Sequence, residues 1–224
     1  MKISPTLTEV KEIAKTGKYD ILPVSCEILS DFITPIEAMR ILQNVSTHCY
    51  LLESAQANEA WGRYTFLGYD PKLEINCIDG HMKLGKLSVE TENPSEYIRQ
   101  ILSEYKSPKF DYLPSFTGGL VGYFSYDYLG YKEKSIRGKA RDTEAFKDVD
   151  LMLFDKVIAF DNLCQKIILI ANMSLDAPET GYNKAIVELK QLSELLMHGE
   201  KKQNMGGKLL GEVTPLFDKE QYCE

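Results

Sequence analysis

The sequence predicts an α+β fold, built mostly from antiparallel β-sheet with flanking helices. Short apolar segments with the alternation typical of strands follow one another, separated by polar turns. Other segments carry apolar residues at helical spacing and begin with capping residues. Helices and strands do not alternate one for one along the chain, which argues against a parallel sheet made of βαβ units.

The predicted helices start at residues that satisfy the free N–H groups of a first turn. Thr6 with Glu9, and Thr34 with Glu37, have the spacing of a capping box. Proline or glutamate in the first turn favours the later helices in the same way. The predicted helix starts are Thr6, Thr34, Asn93 and Ala177, and the last of these helices ends at Gly199.

The predicted strands are bounded by turn residues. Pro23 lacks an N–H, so the first of them is expected at a sheet edge. Asp79-Gly80 predicts a tight hairpin turn, and Asp161-Asn162 predicts another turn. The predicted strands cover residues 21–29, 49–52, 63–68, 73–77, 82–87, 116–128, 151–160 and 166–171.

Composition excludes several classes of protein. The chain has 224 residues, 44% of them hydrophobic, and a formal net charge of −7, which argues against a nucleic-acid partner. No apolar stretch reaches the ~20 residues that a membrane helix needs, so no membrane is expected. The 5 cysteines are scattered along the chain, as in the reducing cytosol, and we predict a cytoplasmic protein.

The candidate site lies between two predicted strands, 49–52 and 63–68. The first strand ends at Leu52 and leads directly into Glu53 and Ser54, while the second begins with Arg63 and Tyr64. A carboxylate, a hydroxyl and a guanidinium are therefore expected at adjoining strand ends. This combination is suited to a small zwitterion, because an ammonium group pairs with a carboxylate and a carboxylate with hydroxyl or guanidinium donors. Alternatively, Arg63 simply pairs with a nearby acid such as Glu59.

Catalytic chemistry is not predicted within this chain. Residues 118–122 are glycine-rich, but they lack the Lys-Ser/Thr of a phosphate-binding loop, and close backbone packing explains them better. His48, His81 and His198 are too far apart to suggest a ligand set, so no metal ligand is predicted either.

The end of the sequence reads as the start of a further helix. Asp218 and Gln221 have capping-box spacing, and Phe217 precedes them as a hydrophobic staple. A helix below ~12 residues is marginal alone. We therefore expect residues 1–200 to form one domain, with 201–224 as a linker and the beginning of a second domain in a longer protein.

Four separated segments resemble the N-terminal region of the anthranilate synthase component I family of chorismate-utilising enzymes. They are CYLLES (49–54), WGRYTFLGYDP (61–71), FTGGLVGYFSYD (116–127) and DLMLFDKVIAFD (150–161), in the family's order. VTPLFDKEQY (213–222) is similar to the segment that leads into the family's chorismate-binding catalytic domain. The resemblance implies the fold of that N-terminal domain and an enzyme about twice as long.

The resemblance also implies a reaction, a partner and an inhibitor. The complete enzyme, a lyase, converts chorismate and ammonia to anthranilate and pyruvate with Mg²⁺, whose ligands lie outside this chain. Ammonia comes from glutamine through a glutamine amidotransferase subunit. L-Tryptophan inhibits the enzyme, and by matching position Leu52, Glu53 and Ser54 belong to its site, followed by Arg63 and Tyr64.

Two other functions remain open at this stage. Aminodeoxychorismate synthase component I, of the para-aminobenzoate branch, shares the fold and the substrate. A stand-alone amino-acid-binding module would be the better interpretation if the natural protein stopped at Glu224. A surface for assembly with the glutaminase subunit is compatible with the first function, but the sequence does not locate it.

Overall fold

A computed structural model describes residues 2–53, 62–133, 135, 146–203, 206–215 and 218–223. Within them the fold is α+β, as predicted, with two antiparallel sheets. The strands are β1 (Ile3–Ser4), β2 (Ile21–Leu29), β3 (Cys49–Leu52), β4 (Tyr64–Tyr69), β5 (Leu73–Ile78), β6 (His81–Leu84), β7 (Leu87–Glu90), β8 (Gly119–Phe124), β9 (Val149–Phe154), β10 (Lys156–Asp161) and β11 (Lys166–Ser174). The helices are α1 (Leu7–Lys15), α2 (Pro35–Val45), α3 (Pro94–Ser103), α4 (Pro178–His198) and α5 (Lys219–Cys223), with a 3₁₀ helix over Tyr126–Tyr131.

The first sheet has six strands in the order β1-β2-β11-β10-β4-β3. Helices α1, α2 and α4 cover one of its faces and form the largest core, in which Leu42, Leu169 and Leu189 are fully buried. Burying each such side chain contributes roughly 1.5–3 kcal/mol to folding. The opposite face of the sheet is left for the segment that precedes β8.

That segment forms a second core on the opposite face. Leu113 packs over Val157, Ala159 and other apolar residues of β10 and β11. Phe110 and Phe116 of the same segment pack against this core, together with aromatic residues of β4. The start of β4, where the predicted site residue Tyr64 follows Arg63, is therefore held against a packed layer.

The second sheet has five strands in the order β7-β6-β5-β9-β8. Helix α3 and the 3₁₀ helix cover one face through Ile98, Tyr128 and Tyr131. The predicted hairpin turn joins β5 to β6, with Asp79 at φ 48° and Gly80 at φ 82°. Positive φ at both positions is the geometry of a two-residue hairpin turn, so this prediction is confirmed.

The single strand predicted over residues 151–160 is wrong. The chain leaves the second sheet after Phe154 and enters the first sheet at Lys156, so β9 and β10 belong to different sheets. Asn172 fastens the junction, because its backbone N–H donates to the Asp155 carbonyl at 2.8 Å and its side chain to the Thr117 carbonyl at 2.6 Å. Asp155 and Lys156 interrupt the apolar run at this junction, but a single polar pair does not by itself distinguish a change of sheet from one continuous strand.

Two further strand predictions need correction. The strand that contains Pro23 is next to the edge, because the two-residue β1 pairs with it at Ser25 and Cys26. Pro23 itself lies outside that short ladder, so its missing N–H costs no bond there. The strand predicted over 116–128 is shorter, since β8 ends at Phe124 and a 3₁₀ helix follows.

The helix caps are mostly as predicted. Thr6 and Thr34 each form a complete capping box with Glu9 and Glu37, respectively. Asn93 makes no side-chain cap to the α3 backbone; its side chain bonds to Ser95 and Glu96. In the last part of the chain, Asp218 and Gln221 bond reciprocally and α5 begins, as their spacing predicts.

Candidate functional site

The structure places four of the five predicted site residues at neighbouring ends of β3 and β4. Leu52 ends β3 and pairs with Phe66 of β4, so Tyr64 follows on the same face, two residues along. Leu52 is 48% exposed, and Glu53 after it is exposed as well. Ser54 lies outside the described residues, so its role stays a prediction.

An aromatic surface begins beside these strand ends. The Tyr64 ring lies 5.8 Å from the Phe66 ring, and the Phe66 ring meets Phe116 edge-on at 5.7 Å, measured between centroids. We call Tyr64, Phe66 and Phe116 the aromatic shelf. All three are partly buried, so each side chain keeps some exposed surface. Such a surface suits a flat apolar group.

Arg63 stands at the edge of the shelf in a two-point ion pair. Its Nε donates to Asp161 Oδ1 at 3.0 Å, and its Nη2 donates to Asp161 Oδ2 at 2.7 Å. The guanidinium also lies over the Tyr64 ring, 4.9 Å from the centroid. The partner of Arg63 in the structure is thus a residue from the end of β10, and Glu59 lies outside the described residues. Bidentate pairs of this kind fix the plane of the guanidinium.

Asp161 is fully engaged as an acceptor. Its side chain has no exposed surface, and the backbone N–H groups of Leu163 and Cys164 donate to Oδ1 at 3.2 and 3.1 Å. Burial favours the neutral acid, but the hydrogen bonds from Arg63 and Cys164 outweigh it and lower the pKa of Asp161 to about 2. A carboxylate held ionised with four donors is unsuited to proton transfer.

Lowering the pH should remove the contribution of the ionised Asp161 side chain to the free energy of unfolding. Its folded-state pKa of about 2 is below the ordinary 3.8. The ionised carboxylate therefore stabilises the fold by about 2 kcal/mol above pH 4, and this stabilisation is lost as the pH falls from about 4 towards 2. We expect the difference in unfolding free energy between wild type and Asp161→Asn to shrink over that range. Urea titrations at pH 6, 4 and 2.5 measure it, and a constant difference would contradict the assignment.

Sequence reasoning missed Tyr50, which lies two residues before Leu52 on β3. Its ring packs edge-on against Phe154 at 4.7 Å, and its hydroxyl is buried with no hydrogen-bond partner among the described residues. Burial raises the pKa of Tyr50. Its ring also lies so close to Gly68 that a Cβ there would come within 2.2 Å. The signal for Tyr50 in the sequence is the glycine that faces it on the neighbouring strand. The two residues can be matched only when the register of β3 and β4 is known.

A second concavity opens beside the start of α4, away from the predicted site. Its volume is about 560 Å³, and its lining includes Lys72, Lys156, Asn172 and Lys184. Lys156 is already paired with Asp70 at 2.7 Å and lies over the Tyr69 ring. Its lining comes from four separate parts of the chain, so no local motif predicts it.

The described residues contain neither a candidate metal site nor a membrane-spanning helix. In those ranges, no group of three or more His, Cys, Asp and Glu side chains could hold a metal ion. The helices that the structure describes are all too short or too polar to cross a membrane.

The chain belongs to the family of chorismate-binding enzymes, whose family model matches residues 47–224.

Relatives of this chain include anthranilate synthase components. The chain is 30% identical to anthranilate synthase component 1 of Acetivibrio thermocellus, over 98% of this chain and 46% of that protein. It is 36% identical to the component 1 of Pseudomonas aeruginosa, over 84% of this chain and 39% of that protein. The crystal structure of anthranilate synthase component I from Streptococcus pneumoniae superposes with a TM-score of 0.50 at 26% identity, over 75% of this chain and 35% of that one.

These comparisons confirm the resemblance on which the sequence interpretation rests. They also give its extent, because the chain spans less than half the length of the curated relatives it matches.

Proposed function

We propose that this chain is the N-terminal, regulatory part of an anthranilate synthase component I. The complete protein would convert chorismate and ammonia to anthranilate and pyruvate, in tryptophan biosynthesis. The observation that carries the proposal is the family match over residues 47–224, together with relatives named anthranilate synthase component 1. In this proposal residues 1–200 are the sensing domain, and 201–224 lead into the catalytic one.

The proposal includes a partner and a metal that this chain does not supply. A glutamine amidotransferase subunit would deliver ammonia, since the name component 1 implies a second component. Mg²⁺ would be held by residues beyond this chain, as the resemblance to the family implies. We therefore assign no catalytic step to the residues described here. A cytoplasmic location fits the free cysteines.

L-Tryptophan, the pathway's end product, would bind at the ends of β3 and β4. The Glu53 carboxylate and the Ser54 hydroxyl would hold the ammonium and carboxylate groups, with Leu52 alongside. The Arg63 guanidinium would add donors for the carboxylate, and the aromatic shelf, which includes Tyr64, offers a surface for the indole. Inhibition requires that tryptophan bind one arrangement of the whole enzyme better than another, with a coupling of ~1–3 kcal/mol.

The test uses the complete reading frame that contains this sequence. The purified protein is incubated with chorismate, ammonium and Mg²⁺, and anthranilate fluorescence is followed with and without L-tryptophan. We expect anthranilate to form and tryptophan to suppress it, with Ser54→Ala relieving the suppression.

Other results would redirect the proposal. Aminodeoxychorismate without anthranilate would assign the chain to the para-aminobenzoate branch. Amino-acid binding without any turnover would leave a binding module. Full tryptophan sensitivity in Ser54→Ala would contradict the proposed site while leaving the proposed reaction intact.

A further inference from the structure

We propose that Asp161 is a positioning residue for the amino-acid site: it sets Arg63 so that the free edge of the guanidinium receives the ligand's carboxylate. This inference rests on the proposed tryptophan site and adds a residue from a distant part of the chain. Asp161 lies 98 positions after Arg63 in the sequence, outside every segment to which the site was assigned.

The hydrogen bonds of Arg63 leave one edge available. Nε and Nη2 are turned towards Asp161, and Nη2 also donates to Cys164 Sγ at 3.6 Å. Among the described residues, Nη1 has no acceptor in the structure. The Arg63 side chain is 35% exposed, whereas Asp161 is buried behind it. A carboxylate arriving from solvent would therefore meet Nη1 on the exposed side.

The loop that carries Asp161 is itself fastened to the start of β4. The backbone N–H of Asn162 donates to the Arg63 carbonyl at 2.9 Å. The Asn162 side chain reaches Thr65 Oγ1 at 3.4 Å. Asp161 is thus held in place independently of its bond to Arg63, which a positioning residue requires.

The ring of Tyr64 restricts the guanidinium from a second side. With its Cζ over the Tyr64 ring and two nitrogens on Asp161, the guanidinium is held at two places, and the two-point pair fixes its plane. The Asp161 charge compensates that of Arg63, so recognition depends on hydrogen-bond geometry more than on net charge. A ligand carboxylate is then distinguished from a neutral amide by the strength of charge-assisted bonds.

The experiment measures ligand binding to the complete protein by calorimetry, with L-tryptophan and L-tryptophanamide as probes. For Asp161→Asn we expect the affinity for L-tryptophan to fall about tenfold or more, because the orientation of the Arg63 guanidinium is no longer fixed. Affinity for the amide should change less than about twofold. A merely structural role would weaken both ligands together and would overturn the proposal.

Two comparisons sharpen the result. Glu27→Gln, which breaks the neighbouring Lys166–Glu27 pair on the same sheet, is the matched control and should bind both ligands as wild type does. Arg63→Lys keeps the charge but lacks the two-point geometry. If Asp161 acts through Arg63, adding Asp161→Asn to Arg63→Lys should cost little further affinity, whereas independent losses would refute the mechanism.

Failure of this inference is distinguishable from failure of the proposed function. If wild type binds tryptophan and Asp161→Asn retains the same affinity and the same preference over the amide, the inference alone is wrong. If wild type binds no tryptophan, the proposed regulation and this inference are both wrong.

Discussion

Replacing Gly122 with alanine is expected to detach β8 from the second sheet. A Cβ at this position would lie 1.9 Å from the Asp150 carbonyl oxygen and 2.8 Å from Leu151 Cα, both of them backbone atoms of β9. The residue also has a φ of 153°, which L-residues rarely adopt. Overpacking costs ~1–3 kcal/mol or more, and the backbone strain roughly 1–2 kcal/mol, out of a typical stability of ~5–15 kcal/mol.

Gly119 supplies the matched control for this prediction. It lies on the same strand with a φ of 138°, but the nearest atom to its added Cβ is a Phe116 side-chain carbon at 3.7 Å. Gly119→Ala therefore carries backbone strain without the collision. Hydrogen exchange followed by mass spectrometry on the complete protein should show β8 and β9 losing protection in Gly122→Ala and largely keeping it in Gly119→Ala. Equal loss in the two variants would assign the cost to φ alone.

The same comparison tests the role of the glycine-rich segment, residues 118–122. For these residues the sequence predicts close backbone packing and not a phosphate-binding loop. The structure shows such packing at Gly122 against β9, and at Gly118, where a Cβ would meet Asn172 and the Phe154 carbonyl. Glycine is thus required at these two positions because a Cβ would collide with neighbouring atoms, most of them backbone.

Features that depend on neighbours in the chain are predicted well from the sequence. The capping boxes at Thr6 and Thr34 and the hairpin at Asp79-Gly80 each involve residues within three positions of one another. Their hydrogen bonds or dihedral angles are therefore set locally, and the structure contains all of them.

Features that depend on distant residues are predicted poorly. The passage from β9 to β10 is marked locally only by the polar pair Asp155-Lys156. The change of sheet itself is set by distant partners such as Asn172. The candidate site divides in the same way. Leu52, Glu53, Arg63 and Tyr64 were identified from two adjoining segments, whereas Asp161 meets Arg63 only once β10 has paired with β4.

The second large effect is expected when Arg63 is replaced by methionine. Methionine keeps much of the apolar stem but removes the donors that compensate Asp161, whose side chain is fully buried. Breaking a buried pair by removing one partner costs ~3–5 kcal/mol, because a charge is left uncompensated. Removing Asp161 instead leaves Arg63, which is 35% exposed and can be hydrated, so Asp161→Asn should cost only ~1–2 kcal/mol.

The stability of Arg63→Met should depend on pH in the opposite sense to the contribution of the Arg63–Asp161 ion pair in wild type. Without the guanidinium, burial dominates and raises the pKa of Asp161, so the variant is penalised most where the carboxylate is forced to ionise. Lowering the pH from 7 to 5 should therefore reduce the stability deficit of Arg63→Met relative to wild type. Thermal unfolding of the complete protein at the two pH values measures this deficit.

The double variant Arg63→Met/Asp161→Asn separates the lost attraction from the stranded charge. Removing both charges leaves no ion in the buried position, and the asparagine can still accept from the N–H groups of Leu163 and Cys164 that now serve Asp161. The double variant should therefore be more stable than Arg63→Met alone, although it carries one more substitution. A less stable double variant would contradict this explanation, because removing an uncompensated buried carboxylate should stabilise the protein. The cost of Arg63→Met would then come from packing lost at the edge of the aromatic shelf.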